Sequence, residues 1–357
     1  MNNKFLIILL ALSLSLAAFL AGYLISQKDY AGQPANLAGD SILNKFEEDK
    51  TKADDFPKDL VALSKGGVIS PVLSKEKDSL IYYNELDGKV FQVNPADLKE
   101  VLVSGTSLTN LVRTIWSPDR KEVISVFYTP EGEKFKYYNY QTRKVVDLGP
   151  QVQSAAFSPD GSHLAYFKSQ GTDGAIYISE PDGDSPKKIL DTRISDLELF
   201  WPSPENLVFK TNTDGSDRVF TVSTTGNLTK ILEKAGQIEI LWSPDDTKIL
   251  YSVKDVGGTT LMVKDVKTST DTSLQVAVNV PRCAWGINAA YLICSVPRSG
   301  AGEDIYKINL DGTKELIASP KKNLVTKQLM LTVLEEFIVI VNDLDGKLYA
   351  LKNPTLK

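Results

Sequence analysis

Between residues 58 and 351 the apolar residues gather in short runs of about four to six, each closed by polar turn residues, and helical spacing is absent. Runs of that length predict strands. They come in sets of four. One set covers 154–157, 163–167, 175–179 and 187–190; another covers 238–242, 248–253, 260–264 and 272–274. The first run of each set ends on a large apolar anchor, at Leu73, Trp116, Phe157, Trp201, Trp242, Trp285 and Met330, 41 to 45 residues apart. Four short strands per repeat of that length describe a propeller blade, so seven copies predict an all-β, seven-bladed propeller of four-stranded blades.

The last copy holds only three runs, 328–331, 337–341 and 347–351. A blade one strand short would expose the backbone donors and acceptors of an edge. Residues 58–63 read like the fourth runs of other copies, so pairing of 58–63 with 347–351 is predicted to close the ring.

Most anchors open a recurring phrase: Trp116-Ser117-Pro118-Asp119, Phe157-Ser158-Pro159-Asp160-Gly161, Trp201-Pro202-Ser203-Pro204-Glu205 and Trp242-Ser243-Pro244-Asp245, with a worn copy at Trp285. Pro presets φ at the second turn position, and Asp or Gly suits the positions after it. The aromatic is of a size to fill the wedge between neighbouring sheets. Together with Ile176-Tyr177 and with Ile305-Tyr306 before Leu310-Asp311-Gly312, these residues resemble the TolB-type, WD-repeat-like family of bacterial propeller repeats. The resemblance covers about residues 58–351 and implies the fold more strongly than any function. TolB itself has six blades behind an α/β domain, whereas this sequence has seven copies behind an apolar segment. Related repeats also form the propeller of prolyl oligopeptidase-like enzymes, which need a Gly-x-Ser-x-Gly elbow that this sequence lacks.

Residues 5–26 carry no charge, with Lys4 before them and Lys28 and Asp29 after. As a helix they would run roughly 33 Å, enough to cross a bilayer core. That length favours an uncleaved anchor over a cleaved signal peptide, whose apolar region is shorter. The expected organisation is therefore a cytoplasmic N-terminus at 1–4, a transmembrane anchor at 5–26, a tether at 27–57 and the propeller at 58–357. Lys4 on the inner side places the propeller outside a bacterial cytoplasmic membrane. The formal net charge of −5 and the absence of a Lys/Arg run argue against a nucleic-acid partner.

Chemistry is sparse. His163 is the only histidine and starts a second run, so it is better explained as part of a sheet than as a catalytic base. No set of His and Cys residues suits zinc, and Asn212, Asp214 and Asp217 read as a polar turn rather than a calcium loop. No catalytic residue, metal or cofactor is implied. Cys283 and Cys294 flank one hairpin. A disulfide is permitted in an exported domain, but the short loop and strained cross-strand geometry favour two buried thiols.

In a four-stranded meander, the turns between second and third strands share one face of the disc with the links between blades. Those turns are acidic, including Glu85, Glu133, Asp217, Glu303 and Asp345. Three residues before the anchors stand Arg113, Glu198, Glu239, Arg282 and, in a looser register, Lys327. These charges would crowd the mouth of the central channel. They read either as inter-blade ion pairs, Glu239 with Arg282 for example, or as a polar binding site. The expected function is a non-enzymatic module that binds or scaffolds another envelope protein or peptide. Its rival is an exported hydrolase or lyase acting on a small polar or carbohydrate substrate in the channel.

Overall fold

The computed structural model of the protein describes residues 59–354, and within them twenty-eight strands form seven four-stranded antiparallel sheets. Blade 1 begins at Val68–Leu73, blade 2 at Leu111–Trp116, blade 3 at Val152–Phe157 and blade 4 at Glu198–Ser203. Blades 5, 6 and 7 begin at Gln237–Trp242, Cys283–Trp285 and Thr326–Leu331. In blades 1 to 6 the strands follow one another outward in chain order. The predicted anchor and tether, residues 1–57, lie outside the described residues; no helix among the described residues is long and apolar enough to cross a membrane.

Closure is as the sequence predicted, by a shorter strand. Val61–Ala62 pairs antiparallel with Tyr349 and Ala350, and so completes blade 7 from the other end of the chain. The Leu63 amide extends the pairing to the Leu348 carbonyl at 2.8 Å, and the Leu348 amide donates to Ser64 Oγ at 2.9 Å.

The hydrophobic clusters straddle blades instead of sitting inside them, because each sheet is apolar on both faces. Ile124 and Phe135 of blade 2 pack on Phe157 and Tyr166 of blade 3, and Leu250 of blade 5 packs on Trp285 and Leu292 of blade 6. Trp116 stacks on Tyr140 at 5.5 Å between ring centroids. The anchors therefore do the wedge-filling expected of them.

The Ser-Pro-Asp turns have a buried hub that propensity alone does not supply. Ser117 Oγ donates to Asp119 at 2.8 Å and accepts the Glu122 amide at 3.0 Å. Ser158 and Ser243 repeat both bonds, and all three serines are buried. The fourth turn position needs positive φ, met by Gly161 at 75° and by Arg120 and Asp246 at 61° and 56°.

Blade 6 corrects one expectation. Cys283 and Cys294 face each other in register with Cα atoms 4.1 Å apart, and they form a disulfide rather than two thiols. Directly opposed residues of an antiparallel pair project to the same face of the sheet, which brings the two sulfurs together.

Candidate functional site

The first strands of the blades surround the channel. On the side of blades 1 to 5 it holds a cavity of about 770 Å³ that reaches from Arg113, Ser154 and Glu198 to Trp116, Trp201 and Trp242. The end at the Ser-Pro-Asp turns is basic, with exposed Lys75 and Lys77 beside Arg120. Arg120 donates to the Leu73 carbonyl at 2.7 Å and the Ser117 carbonyl at 2.8 Å. Burial pushes its guanidinium below the ordinary value, and the Asp119 charge offsets part of that.

At the face of the blade links, a second cavity of about 410 Å³ lies between blades 7, 1 and 2, lined by Ser70, Glu85, Val112, Arg113 and Lys327. Lys327 is exposed and forms no ion pair among the described residues. Exposed Val112 lies in the cavity wall, and Leu86 and Leu344 are exposed on the neighbouring turns of blades 1 and 7.

The five charged positions do not form one cluster. Arg113 and Glu198 line the large cavity, and Arg113 and Lys327 line the smaller one. The proposed Glu239–Arg282 pair is not made. Arg282 closes a 3-10 turn, Val280–Arg282, and pairs with buried Glu303 of its own blade. Glu239 accepts from Ser252 Oγ at 3.1 Å. Arg113 pairs with Glu133 at 2.6 Å and Glu198 with Lys210 at 3.1 Å, again within one blade. Glu133 and Glu303 stand at the start of the third strand of their blades, and Lys210 and Ser252 stand on the second, so each of these side chains meets its partner within its own sheet.

Lys327 sits one position out of register with the others. In blade 7 it is Leu331, not Met330, that pairs as the anchor does elsewhere, and Lys327 is the bulged residue between Thr326 and Gln328, as Val112 is between Leu111 and Arg113 in blade 2. Gln328 is therefore the residue equivalent to Arg113.

Sequence reasoning missed a set of side chains that catch the entering strand of the next blade. Thr114 donates its amide to Ser70 Oγ and Leu199 to Ser154 Oγ, both at 2.9 Å. The Ile238 amide reaches Asp217 at 2.7 Å, Val280 reaches Ser252 at 3.3 Å and Thr326 reaches Glu303 at 2.9 Å. Asp217 also accepts from Asn212 at 2.6 Å, so the turn that faintly suggested calcium is an inter-blade latch. Much of the acidic face is likewise committed: Asp87 to Lys89, Asp304 to Arg298 and Asp345 to Lys322. Glu85, Glu131 and Asp343 are exposed and carry no ion pair among the described residues.

His163 is exposed and its Nδ1 lies 2.7 Å from Ser162 Oγ, while Asp160 accepts from that same serine. The carboxylate thus orients the serine and not the ring, which is not the order a catalytic triad needs. Among the described residues no group of three or more His, Cys, Asp or Glu side chains is placed to hold a metal ion.

Among known families, the TolB beta propeller domain matches residues 97–325. The Tol-Pal system protein TolB of Anaeromyxobacter dehalogenans (strain 2CP-C) is 27% identical over 105 residues, which are 29% of this chain and 24% of that protein, so the match spans about a quarter of the relative's length. An oligogalacturonate lyase in complex with manganese shares the fold with a TM-score of 0.61 at 13% identity, over 83% of this chain and 93% of that one. The oligogalacturonate lyase of Vibrio parahaemolyticus does so at 0.61 and 12%, over 85% and 96%. Identities this low carry the fold alone.

Proposed function

The chain belongs to the TolB beta propeller domain family, and from that premise we propose that it is a non-enzymatic binding or scaffold module of the bacterial cell envelope. Residues 5–26 anchor it in the cytoplasmic membrane, residues 27–57 form the tether, and the propeller lies on the outer side. The disulfide supports that side, since such bonds persist in oxidising compartments. The partner is an envelope protein or peptide that docks on the face of the blade links, in keeping with the Tol-Pal system named for the relative.

The observation that carries the reading is the mouth between blades 7, 1 and 2. A concave site there joins the cation Lys327 to exposed Val112, with carboxylates free nearby, a mixture suited to a peptide with both apolar and charged side chains. Cross-linking of the exported domain in envelope extracts tests it. Lys327→Glu combined with Val112→Asp should abolish capture of one defined partner, and raised salt should weaken it. Turnover in a hydrolase and lyase screen, abolished by Glu198→Gln or Glu239→Gln, would instead establish the rival enzyme.

A further inference from the structure

Away from the channel, the cleft between blades 1 and 2 contains a cavity of about 260 Å³. Its origin lies in one repeat position. Two residues before the anchor, Ala155, Leu199 and Ile240 face Tyr166, Phe209 and Tyr251 on the second strand of their blades. Each of those rings is buried against the preceding blade: Tyr166 against Ile124, Phe209 against Ile176 and Tyr251 against Val208. In blade 2 the same register pairs Thr114 with Ser125. A buried serine stands where three other blades place an aromatic ring, and the cleft it faces is left unfilled.

The space has a defined chemistry. Five aromatic residues, Tyr83, Phe127, Tyr137, Tyr138 and Tyr140, share its walls with apolar Val90, Leu108 and Val145. The hydroxyls of Tyr83 and Tyr140 lie 2.8 Å apart, and Ser125 is within reach of Tyr83. Lys136 lies over the Phe127 ring at 5.5 Å, with no ion pair among the described residues. A dry apolar cavity of about 150 Å³ already accommodates benzene, so this one has room for a substituted ring.

We propose that the blade 1–blade 2 cleft is a binding site for a small aromatic molecule of the phenol class, its ring in the place of the missing side chain and its hydroxyl among those of Ser125, Tyr83 and Tyr140. Polar groups converging within an apolar concavity fix orientation in such sites, and offset stacking on the tyrosines suits a flat ring.

The test is a titration of the folded protein with p-cresol and with toluene, followed by NMR of the tyrosine rings, alongside thermal melts. With about eight non-hydrogen atoms, p-cresol should bind with a Kd of roughly 1 mM or tighter. Ser125→Phe rebuilds the ring that the other blades carry. It should melt about 2 °C or more above the parent and bind p-cresol at least about tenfold more weakly. Ser125→Ala keeps the space but removes a hydroxyl, so p-cresol should weaken about fivefold while toluene is unchanged. Non-saturable p-cresol shifts in the parent, or equal affinity in the parent and Ser125→Phe, would overturn the assignment. Should Ser125→Phe fail to fold, the Ser125→Ala comparison decides: equal weakening of both probes, or of neither, counts against it.

Discussion

Deleting residues 59–64 removes the strand that fastens the ring, and the structure sets the size of the effect. Leu63 is 6% exposed and its loss is comparable to a buried leucine truncation, about 2–4 kcal/mol. The amide of Leu63 to Leu348, that of Leu348 to Ser64, and the pairing of Val61–Ala62 with blade 7 add about 3 kcal/mol at roughly 1 kcal/mol each. The total of about 5–7 kcal/mol rivals the whole stability of an ordinary domain. The remaining edge would also uncover Leu348 and Ala350, which are fully buried now. Urea unfolding followed by tryptophan fluorescence measures the loss, and Leu63→Ala alone should account for about 2–4 kcal/mol of it. A deletion that costs less than about 1 kcal/mol with an unchanged m-value would show that blade 7 holds with three strands, and the closure reasoning would fail.

Trp116→Ala should cost about 3–5 kcal/mol in the same assay, because the ring is buried against Tyr83 and Tyr140. Ser117→Ala should cost about 1–3 kcal/mol by stranding the Glu122 amide and freeing Asp119, whereas Ser162→Ala on an exposed turn should be near neutral. The Ser158 and Ser162 contacts hold the Asp160 carboxyl down at about 2, and the Ser243 hydroxyl holds that of Asp245 below the ordinary value. A carboxyl depressed in the folded state stabilises it above the unfolded pKa and loses that contribution as pH falls through the folded one. Stability should therefore decline between about pH 4 and pH 2, less steeply in Asp160→Asn, as read by urea midpoints across pH. Mass spectrometry should find Cys283 and Cys294 resistant to alkylation until reductant is added, and the reduced protein should lose about 3 kcal/mol.

The ring was legible because its causes repeat. Seven anchors at one period fixed the blade count, and the missing strand at one end matched a surplus one at the other. The site was less legible because its causes do not repeat. Arg282 and Glu303 lie 21 positions apart and meet only through the pairing of blade 6, so no local pattern announces them. The anchor of blade 7 is Leu331 and not Met330, so Lys327 stands one position before the residue its spacing suggested. The phrase Ser-Pro-Asp pointed to a turn, yet the hydroxyl that accepts an amide five residues on is visible only once the second strand has folded back. The cysteines were set opposite each other correctly, but sequence spacing did not decide their bonding.

These two kinds of information are separated in space, and the separation bears on function. Packing between blades uses equivalent positions, so a ring of this kind holds its shape when individual turns diverge. The inter-blade latches use whatever is at hand: a serine on the first strand at Ser70 and Ser154, one on the second at Ser252, and a carboxylate on the third at Asp217 and Glu303. Each latch satisfies one backbone amide that would otherwise be buried without a partner, and any short acceptor within reach will serve. That freedom lets side chains at the blade junctions differ without breaking the circle. The two features that distinguish one junction from its neighbours, the Lys327 mouth and the ring-sized gap at Ser125, both arise where a repeated position has been altered while the latch or the sheet beside it is kept. Binding specificity in this fold is thus expected at departures from the repeat, and substitutions there should change ligand affinity with little loss of melting temperature, the reverse of what anchor substitutions do.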